Sequence, residues 1–112
     1  MTFQLTWIER INLEAWLGGQ PSGKWNEGGE QIYDARKVIF PKAARDRFME
    51  DILDGRKVFD IETIKAAPDE PFDLEKAELK KIKEVFVAWN PEQSAAYDVI
   101  RPIIQILEAP VA

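Results

Sequence analysis

A chain of 112 residues can close one hydrophobic core, and 46% hydrophobic with 11% aromatic residues predicts a folded globule rather than a disordered chain. It has no Cys and no His, which excludes disulfides, thiolate nucleophiles, cysteine-held clusters, histidine-ligated zinc, Ser-His-Asp triads and imidazole proton switches. The net charge is -5, with eight Lys/Arg against nine Asp/Glu in residues 1–56 and seven against eleven in residues 57–112, so no half carries the basic excess that drives nucleic-acid binding.

Along the chain, residues 2–5 alternate as a short strand does. Thr6-Trp-Ile-Glu9 then has the form of a capping box: the Thr hydroxyl accepts from the third helical amide, and Glu9 reaches back to the Thr6 amide. A first helix is predicted over residues 7–17, with Gly18 placed to end it in the left-handed conformation. Five of the six glycines lie from Gly18 to Gly29, together with Pro21, and predict a long loop.

A second helix is predicted over residues 30–40, with Ile32, Ala35, Arg36 and Ile39 on one face, and Pro41 marks its end. A third is predicted over residues 42–53 from the spacing of Ala44, Phe48, Met49, Ile52 and Leu53, followed by an Asp54-Gly55 turn. Residues 57–61 read as a strand, "TIKAAPDEP" as a connector, and residues 72–74 as another short strand. The helix over residues 75–89 carries an apolar stripe of Leu79, Ile82, Phe86 and Trp89. Asn90, Pro91 and Gln93 have the residue types that start a last helix, whose inward residues are expected to be Ala96, Val99, Ile103, Ile106 and Leu107. Pro102 cannot donate to the Asp98 carbonyl and predicts a kink or break there. The closing "APVA" is expected to fray. Together these elements predict one domain over residues 1–112, of α+β class and predominantly helical, with about five helices and two or three short strands.

The stretch "LGGQPSGKWNEGGE" nearly spells a phosphate-binding loop, since Gly18, Gly23 and Lys24 fit G-x-x-x-x-G-K. A helix precedes it instead of a strand, Trp25 stands where Ser or Thr would hold magnesium, and no helix start follows. The glycines therefore read as a connector, with Trp25 either pinning it to the core or serving as the anchor of a binding loop.

Aligned on Gly55, a calcium loop would need oxygen ligands at Ile52 and Ile61, which cannot supply them. The neighbouring carboxylates Glu9 and Glu14, Asp69 and Glu70, and Asp73 and Glu75 give no sign of a shared cleft and read better as helix caps. Arg36, Lys37, Lys42, Arg45 and Arg47 form the one basic concentration, diluted by Asp34 and Asp46. It reads as a solvated, salt-bridged face or as a patch for an anionic partner.

The first helix has two apolar arcs. Trp7, Ile8, Ile11 and Ala15 occupy one; Leu13, Trp16 and Leu17 occupy the other, at about 100° per residue. Asn12 and Glu9 separate the arcs on one side, Arg10 and Glu14 on the other. Either the helix is central, with neighbours on both sides, or Leu13, Trp16 and Leu17 meet another chain.

With these residues in place, the layout of "LTWIERINLEAWL", the Gly/Pro loop, two basic helices and "FDLEKAELKKIKEVF" resembles small proteins encoded by phages and prophages. The resemblance carries no catalytic residues. It implies an accessory protein that binds a host or phage factor.

The function expected is a non-enzymatic protein-interaction module with Leu13, Trp16, Leu17 and Trp25 as contacts, self-association as one form of partnership, and no cofactor or metal. The alternative is a small carboxylate- or Lys-based enzyme or nucleotide binder using residues 18–24. The N-terminal "MTFQLTWIER" has no basic leader or cleavage site, and no apolar run nears the roughly 18 residues of a membrane span. A soluble, cytoplasmic protein that binds no membrane is expected.

Overall fold

The computed structural model describes residues 1–20, 29–51, 55–89 and 95–109. Among them are six helices and four short strands, arranged as a predominantly helical α+β fold.

The first strand, β1 (Thr2–Leu5), buries Phe3 and Leu5 and turns Gln4 outward, the two-residue period of a strand with one covered face. It pairs antiparallel with β4 (Glu70–Asp73), placing Phe3 opposite Phe72, with ring centroids 6.1 Å apart. This pairing brings the start of the chain against its second half. The Met1 ammonium adds a bond to the Leu74 carbonyl oxygen at 2.9 Å.

Helix α1 (Trp7–Gly18) begins at Thr6 with the predicted capping box. The Thr6 hydroxyl accepts from the Glu9 amide at 3.1 Å, and the Thr6 amide donates to Glu9 at 2.9 Å. The helix does not end at Gly18. It includes that residue and is capped by Gly19 at φ -87°, a right-handed conformation, so the left-handed stop is not used.

Both apolar arcs of α1 pack against other elements, although Ala15 of the first arc is exposed. Leu13, Trp16 and Leu17 join a core built with α2 (Glu30–Ile39), α5 (Lys76–Ala88) and α6 (Ala95–Ile106). Trp7 joins a second core with Phe40, Ala44, Phe48 and Ile64, against which Ile8 and Ile11 pack. The helix is therefore the central element. Each fully buried large side chain contributes roughly 1.5–3 kcal/mol relative to exposure, so two covered faces make α1 the main source of apolar stabilisation.

The third helix is shorter than its periodicity predicts. Pro41 caps α3 (Lys42–Phe48), and the chain then extends into β2 (Met49–Asp51), which pairs antiparallel with β3 (Lys57–Phe59). The Phe48 carbonyl accepts from the Asp60 amide at 2.9 Å instead of from a helical amide. Cross-strand pairing thus overrides a helical spacing that Met49 satisfies equally well. Gly55, at φ 71°, supplies the left-handed residue in the connection, while Ile52, Leu53 and Asp54 lie outside the described residues.

The predicted connector after β3 holds a short helix, α4 (Ile61–Ala66), started by Asp60. Hydrogen bonds from the Thr63 hydroxyl and then its amide hold the Asp60 carboxyl below the usual carboxylate range. Helix α5 begins with a second capping box, between Glu75 and Glu78. The last helix, α6, continues through Pro102 rather than breaking there. Pro102 and Asp98 are both exposed, which leaves the carbonyl without a helical donor open to water. Ile103 and Leu107 face inward as predicted and Ile106 is half-buried, but Ala96 and Val99 face outward and Ile100 and Ile104 take their place. Asn90, Pro91 and Gln93, and residues 110–112 of the tail, lie outside the described residues.

Candidate functional site

Leu13 and Leu17 are fully enclosed, and Trp16 is 8% exposed. The Trp16 ring meets Trp89 and Phe86, with centroids 5.3 and 6.2 Å away. The apolar surface expected to meet a partner at these three residues is therefore spent inside the chain, on α5 and α6. Trp25 and Lys24 lie outside the described residues.

The polar residues between the two arcs are the ones the sequence reading undervalued. Arg10 is 3% exposed and Glu14 8% exposed. Arg10 donates from Nε to the Ile39 carbonyl at 2.6 Å, from Nη2 to the Val38 carbonyl at 3.0 Å, and from Nη1 to the Glu70 carbonyl at 3.2 Å. Its guanidinium also lies 4.0 Å from the Trp7 ring centroid and 4.7 Å from that of Phe72. Desolvation lowers its pKa, opposed by the Glu70 charge and reinforced by Arg47.

Glu14 sits one turn further along α1. Its Oε1 accepts from both Nε and Nη2 of Arg36, at 3.1 and 2.9 Å, and its Oε2 accepts from Arg45 Nη2 at 3.4 Å. The signal for both was in the sequence. Arg10 and Glu14, spaced i, i+4 between the two apolar arcs, lie on the side that the packing encloses, and buried charges are paired, whereas Glu9 and Asn12 on the other side are half-buried.

Helix α2 has three faces. Ile32, Ala35 and Ile39 enter the core. Glu30, Gln31, Asp34 and Val38 line a groove of about 870 Å³, shared with Asp73, Glu75 and Glu78. On the opposite flank, Tyr33, Arg36, Lys37 and Phe40 line a cavity of about 200 Å³ with Glu14, Lys42 and Arg45. One flank of the helix is thus acidic and the other basic.

The basic flank gathers four of the five cations noted in the sequence, from α2 and α3. Arg47 lies elsewhere, over Trp7 and Phe48, with a 3.7 Å contact to Glu70. Three of the four gathered cations are held in place. Glu14 forks Arg36, Glu14 and Phe40 hold Arg45 (4.9 Å from the ring centroid), and Lys37 lies 4.2 Å from the Tyr33 centroid. Among the described residues, neither Lys37 nor Lys42 has a carboxylate within ion-pair distance.

The carboxylate neighbours serve local structure. Glu9 and Glu75 cap helices, Glu14 neutralises arginines, and Asp73 accepts from the Thr2 hydroxyl. No group of three or more such residues is placed to hold a metal ion among the described residues, and no helix there is long and apolar enough to cross a membrane. No protein-family profile, curated protein or solved structure matches the chain.

Proposed function

We propose that this protein is a non-catalytic interaction module that binds an acidic segment of a partner protein on the α2–α3 face. One observation carries this reading. Four cations converge on one cavity, with Glu14 the one carboxylate among the described residues that line it, in a chain whose net charge is -5. Lys37 and Lys42, without carboxylate partners among the described residues, supply charge that steers an anionic partner, while the held arginines fix its register. The resemblance to small phage-encoded proteins fits a cytoplasmic accessory protein of this kind.

The basis for self-association through α1 is withdrawn, because Leu13, Trp16 and Leu17 are enclosed. A protein partner remains part of the proposal, on a different surface.

The test is calorimetric titration with a synthetic peptide of alternating Glu and Gly. Binding should weaken as salt rises and should be lost in the Lys37→Glu, Lys42→Glu double variant, whose exposed positions leave the fold intact. Absence of binding at low salt, or tighter binding of a DNA duplex, would overturn the proposal.

A further inference from the structure

We infer that the cavity between α2 and α3 is a socket for a phosphate monoester dianion. This rests on the α2–α3 face being the contact surface and adds the chemistry that the face selects.

Gly18 makes room for Arg36. A Cβ placed there would lie 2.7 Å from Arg36 Nη2 and 2.8 Å from its Cζ. The missing side chain leaves room for the guanidinium against the end of α1, and a Cβ there would make it shift. From there it donates two N–H groups to one Glu14 oxygen. Arg45 is held from the other side by the second Glu14 oxygen and the face of Phe40. The Glu14 side chain is 11% exposed, while those of Arg36 and Arg45 are 36% and 39% exposed. The carboxylate is therefore more deeply buried than the two guanidinium groups, and all three side chains line the cavity.

This arrangement treats the two kinds of anion differently. Flexible cations lose conformational freedom when they close on a ligand, whereas cations already fixed by a buried carboxylate and by aromatic faces lose little. Guanidinium forks pair bidentately with carboxylate and phosphate alike, but a phosphate monoester brings nearly twice the charge and a third strong acceptor oxygen for several fixed donors to share. Lys37, set over the Tyr33 ring, and Lys42 add charge that balances the second negative charge of a phosphate monoester. The four cations and Glu14 leave a formal charge of +3 among the described residues lining the cavity. Its volume, about 200 Å³, is below the roughly 300–1,000 Å³ of pockets that enclose whole drug-sized ligands, so it suits a headgroup presented on a chain.

The experiment compares three probes by titration calorimetry at one ionic strength: a short Gly/Ala peptide with one phosphoserine, the same peptide with an Asp-Asp pair at that position, and inorganic phosphate. The phosphopeptide should bind about tenfold tighter than the Asp-Asp peptide. Inorganic phosphate should displace it, and the affinity ratio of the two distinguishes a side-chain phosphate from the free ion as the natural source.

Gly18→Ala keeps every charge but shifts Arg36, and should weaken the phosphopeptide more than the Asp-Asp peptide, so that the tenfold ratio between them is lost. Arg36→Lys, which keeps the charge and loses the fork, should do the same if Gly18→Ala folds poorly. Equal affinity for the two peptides, or phosphate binding untouched by both variants, overturns the socket while the acidic-partner reading stands. If neither peptide binds, both fail.

Discussion

Arg10 Nε donates to the Ile39 carbonyl oxygen at 2.6 Å, so a side chain of α1 closes the C-terminal end of α2. The last carbonyls of a helix have no intrahelical donor, and Val38 and Ile39 obtain theirs from a guanidinium twenty-eight and twenty-nine residues away in sequence. The third donor group reaches Glu70 of β4. A single buried cation therefore ties α1, α2 and the first sheet together.

Replacing Arg10 with Met should cost about 2–4 kcal/mol of unfolding free energy, because three carbonyls lose their partner and the one at Ile39 is buried. Arg10→Lys should recover only part of that, since an ammonium cannot reproduce the fork. Urea denaturation measures both. Wild-type stability in Arg10→Met would mean that the carbonyls are satisfied without the guanidinium.

Trp16 separates a core role from an interface role. Its burial against Phe86 and Trp89 predicts a loss of about 3–5 kcal/mol in Trp16→Ala with no change in sedimentation mass. Trp16→Phe should cost far less than Trp16→Ala. The Trp16 indole Nε1 is buried without a partner among the described residues, and losing an unpaired donor offsets part of the lost packing. A change of mass at wild-type stability would restore the partner interface.

Pro102 lies within α6 on an exposed position. Pro102→Ala returns an amide that can bond the Asp98 carbonyl and removes a residue roughly 3 kcal/mol less favourable than Ala in a helix interior. Part of that gain is offset, because Pro also restricts the unfolded chain. The net expectation is stabilisation of about 1–2 kcal/mol, read as a higher denaturation midpoint with an unchanged slope. An unchanged midpoint would show that water already satisfies Asp98.

Much of the local structure was legible because it is decided by neighbours in the chain. Thr6 and Glu9 make their capping box within one helical turn, and Phe3 and Leu5 alternate within one strand. The apolar spacing of Ile32, Ala35 and Ile39, and of Leu79 and Ile82, marks the buried sides of α2 and α5. Absent Cys and His likewise bounded the chemistry before any fold was known.

What only the tertiary structure decided depends on residues far apart in sequence. Met49 fits a helix as well as a strand, and the pairing with Phe59 settles it. The second arc of α1 could equally have met another chain, and the packing of α5 and α6 against it encloses Trp16. The basic run read as a diluted surface because Asp34 lies just before its cations and Asp46 among them along the chain. Folding turns Asp34 to the opposite flank of α2 and brings Arg36, Lys37, Lys42 and Arg45 around one cavity. Sequence patterns report the free energy of local hydrogen bonding and one-sided burial; which charges come to share a cavity depends on the direction each helix face takes once the core has closed.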